Sequence, residues 1–314
     1  MDSSVLLSTD ELRVRDGSRE PLDLALLAGS MLVLLGGPDT VAGDLCRVLA
    51  GRSSPFSGRV LLGDGNGQPL EKGAGANVQY VPEDFTCPPG MTLLQHLELS
   101  AAAAGHRRKR AGEMIPQVLE WCSLEDFANS RVRRLPGGTR YMAAFAAACL
   151  SIPSVMVLQG PCPPELHPLL EEFCRGGGAV VVSVPGLEFI PRSADRIALC
   201  DVNEVRRILR FGELASTAAR LMRLRVRFFP ALPRDVMESL PGARDIVAVS
   251  GGFEFVHGGL SAAVTNLVSL ARANSRQIAG LEVRPPSIKA ILNHLNLDED
   301  TGEADLFCGE DLGI

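Results

Sequence analysis

The stretch with the clearest chemical layout runs from residue 34 to residue 51, "LLGGPDTVAGDLCRVLAG". An apolar run, a glycine turn and a helix-like segment follow one another. This order is typical of a loop whose backbone N–H groups hold phosphate at a helix N-terminus. Such a loop also uses a lysine that reaches the phosphates and a Ser or Thr that holds Mg²⁺. The only lysines of the chain are Lys72, Lys109 and Lys289, so none stands in this loop.

The cysteines and histidines do not have the spacing of a metal site. The eight cysteines form no Cys-X-X-Cys pair and the five histidines show no ligand spacing, so we expect no metal site and buried, reduced thiols. A net charge of −6 argues against a general nucleic-acid surface. The basic cluster at 105–113 is interpreted as a solvated helix face, with lipid headgroups or an acidic partner as alternatives.

The elements that would position the loop follow from apolar runs that alternate with helical patterns. We predict strands at 5–7, 22–27, 31–35, 59–62, 77–81, 155–158, 179–184 and 196–200. We predict helices at about 41–50, 92–104, 111–122, 139–150 and 165–174. This alternation predicts an α/β fold with a mostly parallel sheet and helices on its faces. The successive helices between residues 92 and 150 predict a helical insertion.

One apolar stretch, residues 141–158, is close to the length that spans a membrane. Pro153 divides it, its first half is rich in alanine, and its second half is a short β-branched run. We therefore favour a buried helix, a turn and a central strand over a membrane span.

The pattern changes after residue 215. Strand-like and helical segments follow in the order β-α-β-β-α-β, which predicts a small split-βαβ domain at 216–297. The predicted domains are therefore 1–215 and 216–297. They are followed by an acidic tail, 298–314, that we expect to be mobile.

Five segments in the correct order resemble the ATP-binding subunits of ABC transporters, in particular those with a small C-terminal regulatory domain. Residues 36–51 resemble the P-loop, 57–65 the next strand, 78–99 the Q-loop, 133–161 the signature helix and Walker B strand, and 180–200 the switch-histidine strand. The resemblance covers nearly the whole chain. It implies a P-loop NTPase-like fold with a helical subdomain at about 92–150 and a small α+β C-terminal domain.

The positions that carry chemistry in this family are changed in the P-loop. The ungapped match places Ala42 at the family's lysine and Gly43 at its metal-binding hydroxyl. The degenerate P-loop set is Gly36, Gly37, Asp39, Val41, Ala42, Gly43 and Asp44. Two interpretations of the acidic residues stay open. Asp39 or Thr40 caps the helix, or a carboxylate such as Asp39 or Asp44 occupies the phosphate site from within.

The other motif positions are changed as well. By the resemblance, Gln159 and Gly160 replace the Walker B aspartate and the catalytic glutamate, Pro185 replaces the switch histidine, and Glu83 replaces the Q-loop glutamine. The aromatic residue that stacks on adenine falls near Asp16. The signature "LSGG" becomes "LPGG" at Leu135, Pro136, Gly137 and Gly138. The match therefore leaves no catalytic residue in place.

These replacements predict a pseudo-ATPase that hydrolyses no ATP and binds ATP and Mg²⁺ weakly at most. The resemblance implies a cytoplasmic protein at the membrane face that forms a homo- or heterodimer with an active ATPase subunit, docks on a permease, or both. We expect a catalytically inactive subunit with a structural or regulatory role in an ABC transporter-like membrane complex. One alternative is a transporter-independent scaffold that binds through its C-terminal domain. The other is a weak ATPase that uses substitute residues such as Arg47 or Arg52.

Overall fold

The computed structural model describes residues 4–63, 67–70 and 77–299, apart from the side chains of 296–299. The chain divides into two compact units, Met1–Arg210 and Phe211–Ile314. The sequence prediction put this boundary five residues later, because the helix that opens the second unit was not foreseen. The predicted acidic tail lies outside the described residues, except for 298 and 299, which end the last helix.

The strands of the first unit form two sheets. They are β1 (Val5–Arg13), β2 (Ala25–Leu27), β3 (Met31–Leu35), β4 (Ser57–Leu62), β5 (Val78–Val81), β6 (Val155–Leu158), β7 (Ala179–Val184), β8 (Arg196–Cys200) and β9 (Val205–Arg210). Six strands pair in the order β5-β6-β7-β3-β8-β9, and only β9 runs antiparallel to its neighbour. The other three form the antiparallel sheet β2-β1-β4.

The central strands form where the sequence is continuously apolar. Every residue of β3, β6 and β7 is buried, as expected for parallel strands covered on both faces. The apolar runs predicted these three strands and β8 with the bounds that the structure has. The prediction of an α/β fold with a mostly parallel sheet is confirmed.

The helices of the first unit lie between these strands. They are α1 (Ala42–Leu49), α2 (Leu93–Ala103), α3 (Arg108–Trp121), α4 (Gly137–Cys149) and α5 (His167–Arg175). The apolar stretch 141–158 is part of α4, a turn and β6, as predicted. Nowhere in the described ranges is there a helix with both the length and the apolar character that crossing a membrane requires.

The second unit is an antiparallel sheet with helices. Its elements are α6 (Phe211–Arg220), β10 (Arg223–Phe229), α7 (Arg234–Glu238), β11 (Ala243–Val249), β12 (Gly252–His257), α8 (Leu260–Ala273), β13 (Gln277–Arg284) and α9 (Ile288–Glu299). The strands pair in the order β11-β12-β10-β13. Alternate apolar residues of β10 and β12 pack with α7 and α8 in one core, which is the burial that period-2 patterning predicts.

Candidate functional site

A cavity of about 190 Å³ lies at the carboxyl ends of the parallel strands β3, β6 and β7. Ligands bind at this edge in open α/β sheets. The loops after β3, β5, β6 and β7 line the cavity with the predicted positions Gly36, Gly37, Ala42, Gly43, Glu83, Gln159, Gly160 and Pro185. The structure thus brings these positions together, whereas Asp39, Val41 and Asp44 are not among the residues that line the cavity.

The loop between β3 and α1 is closed by its own hydrogen bonds. The hydroxyl of Thr40 donates to the carbonyl of Gly37 at 2.7 Å, and the Thr40 N–H donates to the same carbonyl at 3.1 Å. The N-cap position of α1 is Val41, which makes no side-chain cap. Of the two predicted caps, Asp39 is exposed and makes none, whereas the Thr40 hydroxyl accepts one long hydrogen bond, of 3.5 Å, from the N–H of Ala42.

Arg15 holds the start of α1 from outside the loop. It lies two residues past β1, and its Nε donates to the carboxylate of Asp44 at 2.5 Å. Its terminal nitrogens donate to the carbonyls of Asp39 and Thr40 at 3.2 Å each, and to the carbonyl of Val202. One guanidinium therefore ties the strand β1, the loop, the helix start and the turn after β8 together.

The carboxylate of Asp44 is held by two guanidinium groups. Arg15 binds one of its oxygens and Arg47 binds the other, one helical turn further on. The hypothesis that Asp39 or Asp44 fills the phosphate site is therefore wrong for these residues. The carboxylate that lines the cavity belongs to Glu83, which the Q-loop supplies.

Gln159 fills the space beside Gly43. A Cβ built on Gly43 would lie 3.1 Å from Nε2 of Gln159, so the amide already touches this backbone. The hydroxyl of Tyr80 donates to Oε1 of Gln159, and the hydroxyl of Tyr141 donates to its backbone carbonyl at 3.0 Å. The Tyr80 hydroxyl also bonds to Arg47. A neutral amide fixed by tyrosines thus stands at the position matched to the Walker B aspartate and lies against Gly43, the position matched to the metal-binding hydroxyl.

Gly160 has a backbone conformation that suits glycine. Its φ is +88°, in the region that L side chains rarely adopt. A Cβ at this position would lie 2.7 to 2.8 Å from Cβ, Cγ and Cδ of Glu83. The Gly160 N–H donates to the hydroxyl of Ser183 at 3.1 Å, which fixes this turn against β7. The side chain of Glu83 therefore occupies the place from which a glutamate at position 160 would have to start.

The cavity is almost free of charge. Burial raises the pKa of the Tyr80 hydroxyl, and it raises the pKa of the Cys46 thiol to about 12, so both groups are neutral at pH 7. Among the described residues that line the cavity, only Glu83 carries a charged side chain. No group of three His, Cys, Asp or Glu within the described residues could hold a metal ion. No cationic side chain of the described residues lines the cavity. The guanidinium of Arg47 comes near it, with Nη1 4.0 Å from a Cβ built on Gly43, and is bound to Asp44 and Tyr80.

The signature residues stand at a second cavity, of about 550 Å³. Leu135 is buried, Pro136 is the N-cap position of α4, and Gly137 and Gly138 form the start of this helix and line the cavity. The structure does not bring these residues to the P-loop cavity. The two cavities share Glu83 and Pro161 on their walls.

The family profile described as "ABC transporter" matches residues 20–162. This part of the chain is similar to the ATP-binding domains of ABC transporters. Solved structures of this type share the fold. The chain superposes on cbiO1 of Clostridium perfringens, part of the ABC transporter complex cbiONQ, with a TM-score of 0.58 at 17% identity, covering 68% of this chain and 91% of that one. A second chain, from an inward-facing putative metal-chelate type ABC transporter, gives a TM-score of 0.56 at 17% identity, with 81% and 96% covered.

Curated relatives differ in how much of their length this chain spans. It is 30% identical over 134 residues to ATP-binding cassette sub-family A member 9 of Homo sapiens, which is 42% of this chain and only 8% of that protein. It is 25% identical to the Nod factor export ATP-binding protein I of Cupriavidus metallidurans, with 57% and 62% covered. It is 24% identical to the protein of the same name from Rhizobium sp., with 87% and 90% covered.

The residues of this ABC-type domain do not fit Mg²⁺·ATP. The position matched to the lysine is Ala42, which is 2% exposed. The matched metal-ligand positions are Gly43 and Gln159, whose amide lies against Gly43, and Glu83 lies against the matched base position, Gly160. Phosphoryl transfer needs charge stabilisation and a positioned nucleophile, and the matched positions hold no lysine, no metal-binding hydroxyl and no glutamate.

Sequence reasoning missed two residues of the site, Arg15 and Tyr80. Arg15 neighbours Asp16, which was matched to the adenine-stacking position, and Tyr80 lies within the matched Q-loop segment. Neither position shows a motif on its own. Arg15 contacts atoms that lie 24 to 187 positions away along the chain, and Tyr80 contacts Gln159, 79 positions away. Only the fold reveals these contacts.

Proposed function

We propose that this chain is a non-hydrolysing ABC-type subunit that acts as a structural or regulatory partner in an ABC transporter-like membrane complex. The observation that carries the proposal is the filling of the P-loop site by the chain's own side chains. Gln159 occupies the space beside Gly43, and Glu83 occupies the space beside Gly160. Because the frame of the domain is retained, its surfaces remain available for partners.

The helical part of the domain offers a groove for such a partner. It has a volume of about 490 Å³ and is lined by Tyr80, Phe85, His96 and small residues of α2 and α4. Both ring nitrogens of His96 are buried without a hydrogen-bond partner, and burial lowers the pKa of this histidine, so the ring is neutral at pH 7. Buried polar atoms normally have partners, so an unsatisfied imidazole in a groove favours a contact that a second protein supplies.

The kind of partner follows from the family. In ABC transporters the helical subdomain docks on cytoplasmic loops of the permease, and a second ATPase subunit completes the dimer. We propose that this chain does both at the cytoplasmic face of the membrane. Two of the relatives named above are named for export of Nod factors. From that likeness we propose only that this chain associates with a transporter.

The first prediction concerns nucleotide. In calorimetry of the full chain with ATP and Mg²⁺, we expect no saturable heat up to about 1 mM ATP, because no cation faces the phosphates. A malachite-green assay is expected to release no phosphate above the no-protein rate. The Arg15→Ala variant serves as the matched control, since it frees the loop without supplying a lysine and should also bind no ATP. Micromolar, Mg²⁺-dependent binding by the native chain would refute the proposal.

The second prediction concerns the groove. We expect the chain to co-purify with the permease or ATPase subunit encoded beside it, and Ala103→Glu to reduce the yield about tenfold or more, because a charge is then desolvated in the contact. Ala102→Glu is the matched control: both alanines are exposed on α2, but Ala102 lines a different cavity. Recovery that both variants leave unchanged would exclude this groove, and recovery of neither protein would favour a transporter-independent scaffold.

A further inference from the structure

The sheet of the second unit has one face that packs and one that carries arginines. On β10, Leu224, Val226 and Phe228 are buried in the core with α7 and α8. The alternating residues, which point to the opposite face, are Arg223, Arg225 and Arg227. Strand alternation therefore places three arginines in one row on the outer face of a central strand.

The neighbouring strand β13 extends this row. Cross-strand register pairs Arg223 with Arg284, Arg225 with Glu282 and Arg227 with Gly280. We call Arg223, Arg225, Arg227 and Arg284 the arginine face. Like charges directly opposite each other, as at the first of these pairs, destabilise a sheet. A row of this kind is poorly explained by sheet stability alone.

Two carboxylates neutralise part of the arginine face. Arg284 binds Glu282 through two hydrogen bonds of 3.0 and 3.1 Å, and Arg223 binds Glu254 at 3.2 Å. Four guanidiniums against two carboxylates leave a net charge of +2. The excess lies at the middle and far end of the row, where neither Arg225 nor Arg227 has an ion pair with a described residue.

The two unpaired arginines are presented on an open platform. Arg225 makes only long contacts, of 3.4 and 3.5 Å, with the carbonyl and hydroxyl of Ser250. The guanidinium of Arg227 lies flat over Gly280, since a Cβ there would be 3.0 Å from its Nη2. Phe229, next in the row, is 70% exposed. Flat guanidinium groups beside an exposed aromatic ring suit an acidic peptide that also carries apolar residues.

A segment of this chemistry belongs to the same chain. Residues 298–314, "DEDTGEADLFCGEDLGI", carry seven acidic residues and no basic one, together with Leu306, Phe307 and Leu312. The last described helix ends at Glu299, so 15 residues follow it. Extended, they reach about 50 Å, several times the spacing of adjacent strands. The tether also keeps this segment at an effective concentration of about millimolar.

We propose that the acidic C-terminal segment, residues 300–314, binds across the arginine face and neutralises it. Charge complementarity, reach and the shared apolar character support this occupant over an external one. The contact would lie on the face of this sheet opposite the core that includes α7 and α8. An external acidic partner or an anionic membrane surface would then have to displace the segment before it could bind.

Disulfide trapping in the full chain tests the proposal. Ser250→Cys places a thiol beside Arg225, and Cys308 of the acidic segment is the native second thiol. The described cysteines compete little, since six are buried and burial raises the pKa of the half-buried Cys149 well above its ordinary value. We expect the cross-link to form about tenfold faster than in the matched variant Ser239→Cys, an exposed position on the helix side of the sheet.

Salt and charge reversal complete the test. At about 0.5 M NaCl, where exposed charges are screened, and in the Arg225→Glu/Arg227→Glu background, the Ser250→Cys rate should fall to that of Ser239→Cys. Equal rates for the two positions at low salt would overturn the proposal. So would equally strong binding of vesicles containing phosphatidylserine by the full chain and by a chain ending at Glu299, if Arg225→Glu/Arg227→Glu abolishes it in both, because the arginine face would then be open in both.

Discussion

The Gly160→Glu variant, which returns the family's residue type to the catalytic position, is expected to unfold more easily and to hydrolyse no ATP. We expect its first unit to lose about 2–4 kcal/mol of unfolding free energy. A residue with a Cβ in this left-handed conformation costs about 1–3 kcal/mol, and the φ of Gly160 is +88°. The new Cβ also meets Glu83 at 2.7 Å, so one of the two chains must shift.

A mutant cycle separates these two costs. Gly160→Ala carries the strain and the steric contact without a second carboxylate, and the same change in a Glu83→Gly background carries the strain alone. We expect Gly160→Ala to cost about 1–2 kcal/mol less in the second background. Urea unfolding followed by Trp121 fluorescence reports on the first unit, because this residue is the only tryptophan of the chain and lies in α3.

The outcome shows whether position 160 can accept the family's glutamate without further substitutions. If Gly160→Ala costs less than about 0.5 kcal/mol in both backgrounds, the position tolerates a side chain and the strain argument fails. If the cost is the same in both and large, Glu83 contributes nothing. The expected result means that the present backbone conformation and the packing of Glu83 leave no room for a glutamate at position 160.

The parts of the fold that the sequence predicts are those whose signal is local. Each residue of the run 31–35 is apolar, and so is each residue of 155–158; both became fully buried strands with these bounds. A strand that is buried on both faces needs apolar residues at every position, so a short continuous apolar run is sufficient to predict it. Because these strands are parallel, the residues that follow them lie at the same edge of the sheet.

The parts that the sequence does not predict depend on contacts between distant segments. Arg15 stands in "RVRDG", which resembles any polar loop, and its acceptors at Asp39, Thr40 and Val202 are separated from it by 24, 25 and 187 positions. The cap of α1 was predicted from residue type, but the Thr40 hydroxyl donates to Gly37 and accepts only one long hydrogen bond from the first N–H of the helix. The type of a residue limits which hydrogen bonds and charges it can contribute, whereas the residues that the fold places beside it determine which of these contacts it makes.

Arg15→Ala is expected to destabilise the first unit by about 2 kcal/mol. The change removes donors from three carbonyls and from the carboxylate of Asp44 at once. Hydrogen bonds to charged groups contribute about 1.5–3 kcal/mol when buried. The side chain of Arg15 is 31% exposed, so solvent screening places the expected value toward the lower part of that range. Urea unfolding followed by Trp121 fluorescence measures the loss.

Two further variants show whether the loss comes from the shape of the guanidinium. Arg59→Ala removes an arginine whose one ion pair with a described residue is to Asp10 and which is 61% exposed, so its cost should stay below about 0.5 kcal/mol. Arg15→Lys keeps the charge but loses the planar fork that reaches several acceptors, and we expect it to recover no more than about half of the loss. Full recovery by lysine would mean that charge alone holds Asp44. Partial recovery means that the planar guanidinium, and not its charge alone, holds the loop and the start of α1 in place.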